Sequence, residues 1–174
     1  MLNPIKNYFL EKLVTTRLFL LKEKNPVTNF MQEMNHVKKI LIILPVRVQA
    51  SQAVQVFINK MNSTFSASEI STFETSMLRK RDVNWLGIPN SAFLNNIREE
   101  KFDLLIDLNS EQDNVCTYLG ALSDAPMRIH LSEGKYDKIY NLQIRTDTEA
   151  PLSTRFDTLI IYLSKLRKST SVIN

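Results

Sequence analysis

Two apolar stretches decide the fold of this chain: Lys39-Ile-Leu-Ile-Ile-Leu44 and Phe102-Asp-Leu-Leu-Ile-Asp-Leu108. Both are short and aliphatic, which is typical of strands that are buried on both faces of a parallel sheet. Apolar residues at helical spacing follow each stretch. Because strands alternate with helices, the pattern predicts an α/β domain, a single Rossmann-like, doubly wound parallel sheet.

The same patterns extend this prediction over the rest of the chain. They predict further strands at residues 68–73, 127–131 and 139–144, and helices at 50–62, 91–100, 115–122 and 154–167. Residues 75–90 are polar and irregular. We therefore predict an N-terminal helical extension at 1–37, a Rossmann-like α/β domain at 38–168 and a frayed tail at 169–174.

The composition excludes several classes of site. The chain has 174 residues but one cysteine, two histidines and three glycines. One cysteine permits no intrachain disulfide and no cysteine metal cluster, and two histidines are too few for a histidine-rich metal site. So few glycines exclude a glycine-rich phosphate loop. We expect no metal and no cofactor, and composition alone gives no reaction.

The net charge of +4 belongs to the N-terminal segment. Residues 1–40 hold seven Lys and Arg against three Glu, and the remainder is balanced. The segment predicts an amphipathic helix over 3–24, with Phe9, Leu13 and Arg17 as interaction residues. Such a helix suits a protein partner, a second copy of this chain or an anionic membrane surface; a solvated face is the alternative.

No apolar run approaches the ~20 residues that a membrane span requires. The first ten residues, which include Lys6, do not resemble a signal peptide. These features predict a cytoplasmic protein, with peripheral contact to the inner membrane as an alternative. The basic run Arg79-Lys-Arg81 has no interleaved aromatic residues, so nucleic acid is not an expected partner.

Three stretches carry a resemblance to a known family. They are Lys39-Ile-Leu-Ile-Ile-Leu-Pro-Val-Arg-Val48, Phe93-Leu-Asn-Asn-Ile-Arg-Glu-Glu-Lys-Phe-Asp-Leu-Leu-Ile-Asp-Leu108 and Ala121-Leu-Ser-Asp-Ala-Pro-Met-Arg-Ile129. Together they resemble the heptosyltransferases of lipopolysaccharide assembly, glycosyltransferase family nine. The resemblance covers about residues 38–145 and implies the N-terminal, acceptor-side half of a GT-B fold. The chain is also similar to small bacterial proteins of this length that share Asp82-Val-Asn-Trp-Leu-Gly87.

The resemblance implies an activity that this sequence departs from. The family carries Gly-Asp after its first strand, and that Asp is the proposed catalytic base; Gln49 and Ala50 stand here instead. Ser51 has no adjacent base. The chain is also shorter than a two-domain enzyme. We therefore expect a non-catalytic binding or scaffold protein, linked to envelope polysaccharide metabolism. The alternatives are a split or residual glycosyltransferase with a separate donor-binding chain and a peripheral membrane adaptor.

Ligands of open α/β sheets bind at the carboxyl ends of the strands. Polar residues near these ends are candidate contacts for a sugar or nucleotide sugar: Arg47, Gln49, Ser51, Asp107 and Asn109. Arg128, within the strand predicted at 127–131, is a further candidate. The alternative roles are a surface arginine at 47 and a helix cap at 107–109. Asp103 and Asp107 are about 13 Å apart along one strand, too far to act on one bond.

Three further residues have two possible roles each. Trp85 is either an exposed interaction residue or a lid over the core. His130 lies on the same strand face as Arg128 and is a conceivable base, although a packed histidine fits equally. Cys116 lies within an apolar helix pattern, which favours a buried thiol over a nucleophile.

Overall fold

Aliphatic strands pair in parallel at the centre of the molecule. The computed structural model describes residues 29–45, 52–109, 113–131, 139–147 and 149–168, with Tyr8, Phe9, Lys12, Thr15 and Thr16. The strands are β1 (Lys39–Ile43), β2 (Glu69–Phe73), β3 (Leu104–Asp107), β4 (Met127–His130) and β5 (Leu142–Gln143). The helices are α1 (Phe30–Met34), α2 (Gln52–Thr64), α3 (Ser91–Glu99), α4 (Asn114–Leu122) and α5 (Leu152–Lys168).

The five strands form one sheet in the order β2-β1-β3-β4-β5. Every neighbouring pair is parallel. The chain leaves β1 toward one edge to form β2 and returns to the other side of β1 to form β3. The gap between β1 and β3 is therefore the topological switch point of a doubly wound sheet. The predicted α/β architecture is confirmed.

Alternate strand residues face two separate cores. Ile42 and Ile106 pack with Phe57 of α2 and Phe156 of α5 on one face. On the other face, Leu105 packs against apolar residues of α3 and α4. Because β1 and β3 are covered on both sides, they need apolar side chains at every inner position. This is why they were the clearest strands in the sequence.

Polar side chains set the ends of several elements. The side chain of Asn90 caps α3 by accepting from Phe93 N (3.0 Å), and that of Asp113 caps α4. The predicted strand at 139–144 is shorter in the structure, where β5 is Leu142–Gln143. Asn141 Oδ1 accepts from Arg128 N (2.6 Å), so a side chain and not a backbone carbonyl takes this donor just before β5.

The N-terminal segment is described at five positions, all helical and exposed, including Phe9. Leu13 and Arg17 lie outside the described residues. Met34 of α1 belongs to the same core as α5, so residues 30–37 pack on the sheet domain. The boundaries at 37 and 168 stay a prediction. None of the helices within the described ranges is long and apolar enough to cross a membrane.

Candidate functional site

The switch point between β1 and β3 holds two of the candidate ligand contacts. Asp107 ends β3, and Asn109 follows it at the carboxyl edge of the sheet. In the strand register Asp107 lies beside Ile43 of β1 and beside His130 of β4. Arg47, Gln49 and Ser51 of the loop after β1 lie outside the described residues, so their ligand roles stay predictions.

Asp107 is almost fully buried, with 2% of its surface exposed. Its Oδ1 accepts from the backbone N of Asn109 (3.0 Å) and from Asn109 Nδ2 (2.8 Å). Its Oδ2 accepts from the hydroxyl of Tyr140 at 2.6 Å. The carboxylate is therefore held from both sides, by the chain that follows β3 and by a tyrosine from the segment before β5.

His130 completes the arrangement on the same face. Its ring stacks on Tyr140, with centroids 4.6 Å apart and an interplanar angle of 20°. His130 is 3% exposed, and its Nδ1 has no hydrogen-bond partner within the described part of the chain. We call Asp107, Asn109, His130 and Tyr140 the switch-point cluster. It places four polar side chains beneath the edge where sheets of this kind bind ligands.

Burial and the Asp107 charge control the ionisation of neighbouring groups. Burial raises the pKa of the Tyr140 hydroxyl well above its usual value, and the charge of Asp107 and the hydrogen bond to it add to this effect. Burial also raises the pKa of the Cys116 thiol, with smaller contributions from the charges of Asp113 and Asp107. Cys116 therefore remains a protonated, buried thiol, which fits the structural role over the nucleophilic one.

The raised pKa of Tyr140 predicts a loss of stability in alkaline solution. Above about pH 10 the unfolded chain releases the tyrosine proton while the folded chain retains it, so stability falls as the pH rises. We expect Tyr140→Phe to remove up to about 1.4 kcal/mol per pH unit from this decline. Urea unfolding at a series of pH values from 9 to 11 measures the slope.

The matched control is Tyr162→Phe, because Tyr162 lies on the outer face of α5 and is about half exposed. Its slope should equal that of the unmodified protein. The contribution of Cys116 is common to all three proteins and cancels in the comparison. Equal slopes for Tyr140→Phe and the unmodified protein would contradict the assignment.

Arg128 is placed away from the switch-point cluster. Its Nε donates to the carbonyl of Ile139 (2.5 Å) and its Nη1 to that of Ala125 (2.6 Å). Asn141 Nδ2 donates to Pro126 O (2.7 Å) in the same region. Arg128 therefore joins the segment before β4 to the segment before β5, and its use as a ligand contact stays a prediction.

Trp85 lies in a hydrogen-bonded turn between β2 and α3, and 75% of it is exposed. Asn84 Oδ1 accepts from Leu86 N (2.9 Å) and Ile88 N (3.2 Å), and both of these residues are buried. Gly87 has a φ of 81°, a value that favours glycine. The turn thus presents the indole to solvent on a fixed base, although its role in interaction stays a prediction.

Two buried polar residues, Tyr140 and Arg155, were not predicted from the sequence. Tyr140 lies 33 residues from its partner Asp107, and no motif links them. Arg155 lies in the first turn of α5, is 4% exposed and donates from Nε to Thr146 Oγ1 (2.8 Å). Arg155 lies four residues before Leu159, a spacing that places it on the buried face of the helix. The sequence could therefore have indicated that Arg155 is buried. Across the described ranges, no three His, Cys, Asp or Glu side chains are grouped to hold a metal.

A protein-family model and a solved structure are similar to this chain. The model of a Family of unknown function (DUF6913) matches residues 6–166. The structure is similar to that of the glycosyl transferase family 9 protein from Veillonella parvula DSM 2008, with a TM-score of 0.53 and 14% identity. The match covers 79% of this chain but 43% of that one, so the chain spans less than half of its length. No curated protein matches the chain.

The resemblance seen in the sequence is thus confirmed at the level of the fold. At 14% identity, a structural match shows a shared architecture only. The activity has to be inferred from the residues of the site.

Proposed function

The chain belongs to the Family of unknown function (DUF6913), and we propose that it is a non-catalytic domain that binds a hydroxyl-rich small molecule. The ligand is a sugar or a nucleotide sugar, and it binds at the carboxyl edge between β1 and β3. The similar structure is named a glycosyl transferase, and this motivates the choice of a sugar-containing ligand. A setting in envelope polysaccharide metabolism is part of the proposal.

The state of Asp107 carries the non-catalytic part of this proposal. A general base must lie within hydrogen-bond reach of the proton that it removes, and this requires that substrate can approach its oxygens. Both oxygens of Asp107 are already engaged, by Asn109 and by Tyr140, and the side chain is buried. At the position where the resemblance implies a catalytic Asp, the sequence has Gln49-Ala50. These features favour binding without proton abstraction.

The position of the cluster supports the binding part. Ligands of doubly wound sheets bind outside the carboxyl ends of the strands at the switch point. Asn109 lies two residues after β3 at this edge and is 4% exposed, so a sugar hydroxyl would reach its carboxamide after a small local shift of the chain around it. The carboxylate below fixes Asn109 in one orientation, which lowers the entropic cost of binding.

A thermal-shift screen with UDP, ADP and their sugar conjugates tests the proposal. A ligand at 100 times its dissociation constant should stabilise the fold by about 2.7 kcal/mol, or about 5–10 °C in Tm. We expect Asn109→Ser to weaken this response. Asn95→Ser, a change on the exposed side of α3, should leave it intact.

Two results would contradict the proposal. If no compound raises the Tm of the folded protein, the proposed sugar ligand is wrong. Release of free nucleotide from a nucleotide sugar would remove the non-catalytic assignment and favour a split or residual glycosyltransferase.

A protein-interaction role is the second candidate, and the exposure of Trp85 favours it. Tryptophan is enriched among the residues that dominate binding energy at protein interfaces. The hydrogen-bonded turn beneath it reduces the cost of ordering the backbone on binding. The membrane-adaptor role rests on residues 3–24, which lie mostly outside the described ranges, and stays a prediction.

A further inference from the structure

The first turn of α5 contains a buried cation that the proposed function does not use. Arg155 is 4% exposed, and its Nη2 has no hydrogen-bond partner among the described residues. Its Nε is held by the hydroxyl of Thr146, a neutral group. No carboxylate in the described part of the chain forms an ion pair with this guanidinium.

An arrangement of this kind is costly for a protein. A guanidinium is always charged and offers five N–H donors in a planar fork. A buried charge without a partner of opposite sign destabilises the fold, and an apolar side chain of similar volume would be cheaper. The unpartnered Nη2 of Arg155 therefore suits a negatively charged ligand.

The backbone around Arg155 favours the same sign of charge. Side chains of a helix lean toward its N-terminus, and Thr146 Oγ1 holds Arg155 Nε from the segment that precedes the helix. The guanidinium is thus directed to the N-terminal end of a 17-residue helix, where free N–H groups and the helix dipole attract anions. The first turn contains no acidic residue.

Two acidic residues, Asp147 and Glu149, lie in the turn that precedes the helix. Asp147 Oδ1 accepts from Glu149 N (3.0 Å), and the Asp147 carbonyl accepts from Ala150 N (3.2 Å). Asp147 and Glu149 are both exposed to solvent. Neither carboxylate forms an ion pair with the buried guanidinium.

The position in the sheet places Arg155 at the ligand-binding edge. Thr146 follows β5, whose Gln143 lies level with His130, the neighbour of Asp107. Phe156, next to Arg155, packs in the core between the sheet and α2, whereas Tyr140 packs in the core on the opposite face. Arg155 and the switch-point cluster thus share one edge of the sheet from its two faces.

We infer that Arg155, Thr146 and the N-terminal turn of α5 form a binding site for a phosphate group. Planar guanidinium and backbone N–H groups are the donors that match phosphate oxygens. The site does not depend on the proposed sugar ligand, since inorganic phosphate alone would occupy it. Because Nη2 is covered by protein atoms, binding requires a local shift of the segment before the helix.

Thermal unfolding in sodium phosphate, compared with sodium chloride at equal ionic strength, tests this site. The unmodified protein should gain about 3–6 °C in Tm when phosphate reaches ten times its dissociation constant. Arg155→Met should lose this gain while its Tm in chloride stays equal or rises, because the unpaired charge is gone. Arg167→Met removes a cation from the other end of α5 and should keep the gain.

Several results would overturn the inference. One is an equal Tm of the unmodified protein in phosphate and chloride, and another is a phosphate response that survives in Arg155→Met. If Arg155→Met does not fold, amide NMR of the unmodified protein decides. Phosphate should move the amides of residues 152–154, and movement confined to other residues would contradict the site.

A last comparison separates this inference from the proposed function and shows whether the phosphate group or the nucleoside is recognised. UDP and uridine are titrated beside inorganic phosphate. Binding of UDP and phosphate but not of uridine assigns the site to the phosphate of either molecule. If phosphate binds through Arg155 while no nucleotide sugar binds, the anion site stands and the proposed sugar ligand fails.

Discussion

Replacing Asp107 with alanine is expected to lower the free energy of unfolding by about 3 kcal/mol or more. The carboxylate accepts from Tyr140 and from two N–H groups of Asn109, and all of these side chains are buried. Removing it leaves three buried donors without an acceptor, and each such loss costs about 1–3 kcal/mol before relaxation. Urea unfolding at pH 7 measures the difference.

Asp157→Ala is the matched control for this experiment. Asp157 also has a partner, Lys60 at 2.6 Å, but both side chains are about half exposed. A surface ion pair contributes about 0–1 kcal/mol, so this change should be small. A loss for Asp107→Ala no larger than for Asp157→Ala would contradict the structural role of the cluster.

The double variant Asp107→Ala, Tyr140→Phe adds a sharper test. Because the phenylalanine has no hydroxyl left to satisfy, the double variant should be more stable than the sum of the single effects predicts. We expect a coupling energy of about 0.5–3 kcal/mol. Strictly additive effects would mean that the two side chains do not act as a pair.

Phe156→Ala is expected to lower the free energy of unfolding by about 3–5 kcal/mol. The ring of Phe156 lies 5.0 Å from that of Phe57, and both are buried. The contact joins α5 to α2 on one face of the sheet. Since a whole domain is stable by about 5–15 kcal/mol, the variant should melt far below the unmodified protein. Calorimetry gives the shift in Tm.

Tyr162→Ala provides the control on the same helix. Tyr162 is 51% exposed, so its truncation should change stability by about 0.5 kcal/mol. A small loss for Phe156→Ala would contradict the packing of α5 on α2. It would also weaken the anion site, because Arg155 is positioned by the same turn of the helix.

The sequence predicted the location of the candidate site better than its chemistry. Asp107 and Asn109 follow an apolar strand, and the carboxyl ends of parallel strands meet at one edge, so their placement could be predicted. The sequence could not show that the carboxylate is enclosed. Its partner Tyr140 comes from a segment 33 residues away, which the fold brings beside β4.

Two arginines show that the sequence does not reveal which side chains already have hydrogen-bond partners. Arg128 was a candidate ligand contact because it shares a strand face with His130, but its guanidinium donates to the carbonyls of Ala125 and Ile139. No motif in the sequence marks Arg155, yet its buried Nη2 lacks a hydrogen-bond partner among the described residues. Which arginine has open donors depends on neighbours that are distant in sequence.

The sequence by itself determined the class of this fold, the order of its elements and the edge where polar residues gather. Those properties follow from local periodicity and from strand ends, which neighbouring residues set. Only the tertiary structure decided which polar groups have hydrogen-bond partners and which do not. Hydrogen bonds and burial depend on side chains that meet after the chain has crossed the sheet, and no local pattern records those meetings.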